Sequence, residues 1–257
     1  MFTAVPVFIH AGSGKVFAEA EGTLSPIKTD SGLYYWMRYY YQRPQPELVE
    51  NAIAFINDND LINSQLKQPF FASFFSIIFS KNPQDIDKLK NTLSALLPHT
   101  KETILQALWL SNTQEAKHCL KQEAILLKEP DSAYIRRLLG LEPYDILSMQ
   151  INKTSDLDML WGAFFASGDN RYVKKIINTL SWLELNGSQE NKATIAQAAE
   201  ESLINNAHRD SRIMQICQQE LNTASLTLKT TIQKVISQAK DKTDTRKNLH
   251  IPLNEIE

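Results

Sequence analysis

The first residues that invite chemistry are Gly12-Ser13-Gly14-Lys15, a glycine–lysine step of the kind that cradles phosphate. A phosphate loop also needs a glycine five residues before Gly14 and a hydroxyl after the lysine. Ile9 and Val16 stand there, so the magnesium ligand is missing and the segment reads as a hairpin turn. Zinc chemistry needs three or four gathered ligands, whereas His10, His99, His118, His208 and His250 are scattered, with no pair at i, i+4. His118 and Cys119 are neighbours, so on a helix they point about 100° apart and form no local nucleophile–base pair. The carboxylate pairs Asp85/Asp87 and Asp156/Asp158 fall in the first turns of expected helices. There aspartate satisfies free backbone N–H groups and the helix dipole, which is a capping role rather than acid–base work. No catalytic residue, metal site or cofactor is therefore expected, and a site assembled from distant residues would leave no local signature.

Binding, rather than catalysis, is suggested by Leu33 to Arg43, LYYWMRYYYQR, which packs five tyrosines and one tryptophan into eight residues. On a helix, Leu33, Trp36, Met37 and Tyr40 form one stripe that faces the core. Tyr34, Arg38 and Tyr41 form a second, an arginine between two tyrosines, which is the composition of interface hot spots. Those three residues are the candidate protein-binding face. The competing reading is that an N-terminal arm covers them and their hydroxyls find internal partners. A different function class, an enzyme or small-ligand binder with a cleft between helices, would draw on Trp36, Arg38, Trp109, Trp161 and Asp169. Asn205 to Asp210 reads as a polar turn between helices.

The elements that must position these residues are helical. Eight glycines and ten prolines in 257 residues are few breakers, and residues rich in Leu, Ile, Ala, Gln and Lys favour long helices. The expected helices run over 33–42, 46–58, 62–80, 83–97, 101–111, 113–128 and 131–139. Others follow over 143–150, 155–167, 169–184, 188–207, 209–222 and 224–240. Gln65 to Ser80 is apolar nearly all round and reads as a central core helix. Residues 1–32 read instead as a short extended arm or hairpin, 33–240 as one helical domain, and 241–257 as a loosely ordered polar tail.

A net charge of −2 and a pI of about 6.2 offer no basic stripe, so nucleic acid is not an expected partner. Cys119 and Cys217 are far apart and read as free, buried thiols, which fits a reducing compartment. No stretch approaches the roughly 18–20 apolar residues of a membrane span. Ala4 to Ile9 is apolar, but no basic residue precedes it and Pro6 interrupts it, so a cytoplasmic location is expected. The alternative is a periplasmic or secreted protein with residues 1–18 as an imperfect leader and a mature start near Glu19.

An internal echo links three segments: FSIIFSKNPQDIDKL (Phe75 to Leu89), QALWLSNTQEAKHCL (Gln106 to Leu120) and GAFFASGDNRYVKKI (Gly162 to Ile176). Each has an apolar helix end, a serine, two small or polar residues and a new helix. Ser80, Ser111 and Ser167 are 31 and 56 residues apart, close to one and two periods of about 30 residues. The third copy resembles a tetratricopeptide repeat at Leu160, Gly162, Phe165, Gly168, Asp169 and Tyr172, although Val173 replaces the usual small residue and the closing proline is missing. The resemblance covers about 20 residues well and about 100 weakly. It implies an all-α fold of stacked antiparallel helical hairpins and a non-catalytic protein-interaction or adaptor role with a protein partner of unknown identity.

Overall fold

The computed structural model describes residues 25–89, 92–184 and 190–248. The described residues are all-α: they form twelve α-helices joined by turns and short 3-10 segments, and no strand occurs among them. They gather into two compact units, one from the residues up to Met149 together with Asp158–Asp169, the other from Gln150–Leu157 together with Asn170 onward. The first holds α1 (Asp30–Tyr39), α2 (Val49–Asp58), α3 (Gln68–Lys81), α4 (Ile86–Leu89), α5 (Pro98–Ser111), α6 (Gln114–Leu126) and α7 (Asp131–Leu139). It also takes most of α8 (Thr154–Ser167). The second holds α9 (Asn170–Thr179), α10 (Glu190–Ala207), α11 (Ser211–Glu220) and α12 (Leu226–Asn248). The expected hairpin around Gly12–Lys15 and the end of the expected polar tail lie outside the described residues.

The core of the first unit is built on α3. Phe74 and Phe75 are fully buried, as are Leu105 and Leu108 of the neighbouring α5. Helix α3 begins at Gln68 rather than at the expected residue 62, because Pro69 lacks the N–H that a helix interior requires and is accommodated in a first turn. Pro98 likewise opens α5 three residues earlier than expected. Gly162 of α8 lies against α3 so closely that a Cβ there would stand 2.2 Å from the Phe70 carbonyl oxygen and 2.3 Å from Ser73 Oγ. The small residue of the repeat-like segment therefore serves a close approach to α3.

Helices α3, α5 and α8 each span 14 residues. Near the end of each, a serine hydroxyl donates back to a carbonyl: Ser80 to Ile77 at 2.8 Å, Ser111 to Leu108 at 2.7 Å and Ser167 to Ala163 at 2.6 Å. The residue after the serine is left-handed at Asn112 (φ 54°) and Gly168 (φ 70°). Asparagine and glycine tolerate that conformation best.

Several expected elements differ. Residues 143–150 are turns rather than a helix, because Asp145 captures the backbone locally: its Oδ1 accepts from Leu147 N–H at 3.0 Å and its carbonyl from Ser148 N–H at 3.0 Å. The expected helix over 83–97 is broken into a 3-10 turn (Pro83–Asp85), the short α4 and a second 3-10 turn (Leu93–Ala95). Thr92 assists the break by donating its hydroxyl to the Leu89 carbonyl at 2.9 Å. Helix α1 starts at Asp30, inside the expected arm, because Thr29 Oγ1 caps it by accepting from Gly32 N–H at 3.0 Å.

In the second unit, α12 runs to Asn248, so residues 241–248 are helical where a tail was expected. Lys242 and Thr243 hold this extension to the end of α10, donating to Asn205 Oδ1 at 2.7 Å and the His208 carbonyl at 3.2 Å. Ion pairs Lys174–Glu220 and Lys234–Glu200, at 2.8 and 2.7 Å, join further helices of this unit. No helix of the described residues is long and apolar enough to cross a membrane.

Candidate functional site

The expected inner stripe of α1 is in the core: Leu33, Trp36, Met37 and Tyr40 are all buried. Trp36, Tyr40 and Phe74 of α3 form a triangle of rings with centroids 5.3–5.6 Å apart, all edge-on. That geometry sets the positive ring edges against the negative ring faces. Among the described residues, neither Trp36 Nε1 nor the Tyr40 hydroxyl has a hydrogen-bond partner, although both atoms are buried. Burial, then the charges of Glu47 and Asp85, push the Tyr40 hydroxyl up to about 12.

The candidate face Tyr34, Arg38 and Tyr41 is half-buried, and two of its members pack on α8. The Arg38 guanidinium sits 5.2 Å above the Phe165 ring, and the Trp161 ring stacks on that same Phe165 at 5.8 Å. Tyr41 lies beyond the end of α1. Its N–H donates to the Phe165 carbonyl at 3.1 Å, its ring is 5.3 Å from Phe164, and its Cδ2 lies 2.7 Å from where a Cβ on Gly168 would be. Its hydroxyl accepts from Gln42 Nε2 at 2.7 Å. The two stretches most unusual in the sequence, 33–43 and 159–169, therefore meet. Tyr34 is raised above the usual tyrosine range by burial and then by Asp30.

The most exposed aromatic residue of α1 was not among the three. Tyr35 is 66% exposed, and its ring lies 4.8 Å from that of Tyr39. The i, i+4 spacing of these two tyrosines is the signal that could have found the pair. Of the cleft residues in the alternative reading, Arg38 and Trp161 share Phe165. Trp109 instead donates to the Leu141 carbonyl at 3.2 Å and packs on Tyr144 at 5.7 Å.

The first unit also contains a cavity of about 280 Å³ with an apolar floor of Val49, Ile78, Phe79 and Leu89. Its rim carries the carboxylates of Glu47, Glu50 and Asp85, with Lys88 paired to Asp85 at 2.6 Å. Sequence reasoning took Asp85 as a cap and passed over Glu47 and Glu50, whose i, i+3 spacing places them on one side of the start of α2. Among the described residues no group of three or more His, Cys, Asp or Glu side chains is arranged to hold a metal ion. Asp156 does cap: its Oδ2 accepts from the N–H groups of Asn152 and Lys153 at 2.8 and 3.1 Å. Both cysteines are buried and neither is in a disulfide, and burial pushes the Cys217 thiol up to about 12.

Comparison with protein-family models, with characterised proteins and with solved structures returns no match. By its fold the chain is an all-α protein over its described residues.

Proposed function

We propose that this chain is a non-catalytic protein-interaction module of the helical-repeat type, binding a protein partner through the outer side of α1. The observation that carries this reading is the aromatic surface there: Tyr35 is largely exposed against Tyr39, beside half-buried Tyr34 and an Arg38 already held over Phe165. Rings with few rotatable bonds and a pre-positioned guanidinium lose little entropy on binding, which is why such groups dominate interface energetics. The repeat element of the proposal rests on the three 14-residue helices and their serine back-bonds.

The test is affinity capture with the whole chain and its Tyr34→Ala/Arg38→Ala/Tyr41→Ala variant, quantified by mass spectrometry. A Tyr35→Ala variant is run alongside because Tyr41 and Arg38 also pack internally. A protein recovered by the wild type and lost in both variants, with Tyr35→Ala melting as the wild type does, is the expected result. Unchanged recovery in both variants overturns the proposed face.

A further inference from the structure

The outer face of α6 is built from different groups than that of α1. Its inner residues Ala116, Cys119, Leu120 and Glu123 are buried. On the other side Ile125 is 84% exposed and Leu126 73%, two aliphatic side chains adjacent in sequence and left in water at the end of the helix. Lysines surround them. Lys117 and Lys121 precede Ile125 on one stripe at i, i+4 spacing, and Lys128 follows just past the helix end. Among the described residues none of these three lysines is in an ion pair.

Carboxylates are kept away from this end. Glu123 is on the buried face, Glu129 is bonded to Arg136, and Glu115 is in the first turn, about 16 Å along the axis from Leu126. That separation is about twice the screening length of physiological salt. The face is therefore locally cationic in a chain whose net charge is −2.

This combination selects among partners. Protein interfaces favour Tyr, Trp, Met and Arg and are depleted in Lys, whose strongly hydrated ammonium is costly to strip of water. Helices that lie on a membrane use lysine instead: apolar side chains enter the hydrocarbon edge, while lysine stems run beside them and hold their ammoniums at the level of the phosphates. Anionic headgroups supply the opposite charge that Lys121 and Lys128 lack. The acyl chains supply the cover that Ile125 and Leu126 lack.

We propose that the end of α6 docks on an anionic lipid surface, with Ile125 and Leu126 entering the hydrocarbon edge and Lys117, Lys121 and Lys128 on the lipid phosphates. The attachment is peripheral and reversible, since even a single acyl anchor holds a protein only reversibly.

The test is co-sedimentation of the whole chain with vesicles of phosphatidylglycerol and phosphatidylcholine in equal parts, against vesicles of phosphatidylcholine alone. Binding to the anionic vesicles is expected, with release at about 1 M salt, where the screening length falls to about 3 Å. Lys121→Gln/Lys128→Gln weakens it roughly twentyfold, from about fivefold for each lysine near such a surface. Ile125→Gln/Leu126→Gln weakens it about tenfold or more by removing the buried aliphatic area. Both variants change exposed positions and melt as the wild type does. Leu226→Gln removes an equally exposed leucine from α12 and leaves binding unchanged. No sedimentation of folded wild type with the anionic vesicles, equal binding to phosphatidylcholine, or either α6 variant binding as wild type overturns the proposal. So does a Leu226→Gln loss as large as that of the α6 variants. A polyglutamate peptide is titrated in parallel; if it binds this face and the vesicles do not, the face docks an acidic protein segment and the lipid assignment is wrong.

Discussion

Helices α1 and α3 are both crowded with aromatic residues and meet at the Trp36–Tyr40–Phe74 triangle, but they end in opposite environments. Helix α3 carries phenylalanines on several sides and buries Phe71, Phe74, Phe75 and Phe79. Helix α1 buries one stripe and leaves Tyr35 in water, with Tyr34, Arg38 and Tyr39 halfway. The difference is at the tips of the side chains. A phenyl ring has no polar atom to satisfy and can be enclosed on every side, whereas a phenol or guanidinium costs free energy when enclosed without a partner. Aromatic content alone therefore does not separate core from surface; polar tips favour the surface, although Trp36 and Tyr40 are buried with theirs unpartnered.

That contrast can be broken most severely in α3. Phe74→Ala is expected to cost about 3–5 kcal/mol, from lost burial and the cavity left behind, read as a lowered urea midpoint with unchanged slope. Gly162→Ala follows at about 3 kcal/mol, because the new methyl must force α8 away from the Phe70 carbonyl and Ser73. On α1, the buried tyrosine makes stability depend on alkali. The folded state holds the Tyr40 hydroxyl protonated to about pH 12 against an ordinary value of 10.0. The folded chain then binds more protons than the unfolded one above pH 10, so this contribution is complete below pH 10 and is lost as the pH climbs towards 12. Tyr40→Phe is expected to remove part of that loss, about 2 kcal/mol, in urea titrations at pH 9 and 11.5. The smallest effect is Tyr35→Ala, within about 0.5 kcal/mol, since that ring already lies in solvent.

Much of the helical layout was legible in the sequence, because it rests on local rules. Helix α7 begins at Asp131 and ends at Leu139 as its pattern indicates, and the buried stripe Leu33, Trp36, Met37 and Tyr40 follows from helical spacing. The failures are also local, where a side chain competes for the backbone: Asp145 over 143–150, Thr92 after α4, Thr29 before α1. What the sequence did not reveal depends on distant residues meeting. The return of Asp158–Asp169 to the first unit, the packing of Arg38 and Tyr41 on α8, and the gathering of Glu47, Glu50 and Asp85 around a cavity leave no periodic trace. Asn112 and Gly168 show the same limit. Both adopt the left-handed turn that their identities suggest, and at Gly168 the Tyr41 ring also stands 2.7 Å from where a Cβ would be, which no local pattern signals.

The claim that the outer side of α1 is a binding surface is tested most directly by placing a photo-crosslinking phenylalanine derivative at position 35 and, separately, at exposed position 121 on α6. After irradiation of the tagged protein in native lysate, a discrete protein joined from position 35, absent from position 121 and abolished by Arg38→Ala, is the predicted result. The same products from both positions, or none from position 35 while the protein remains folded, would contradict it.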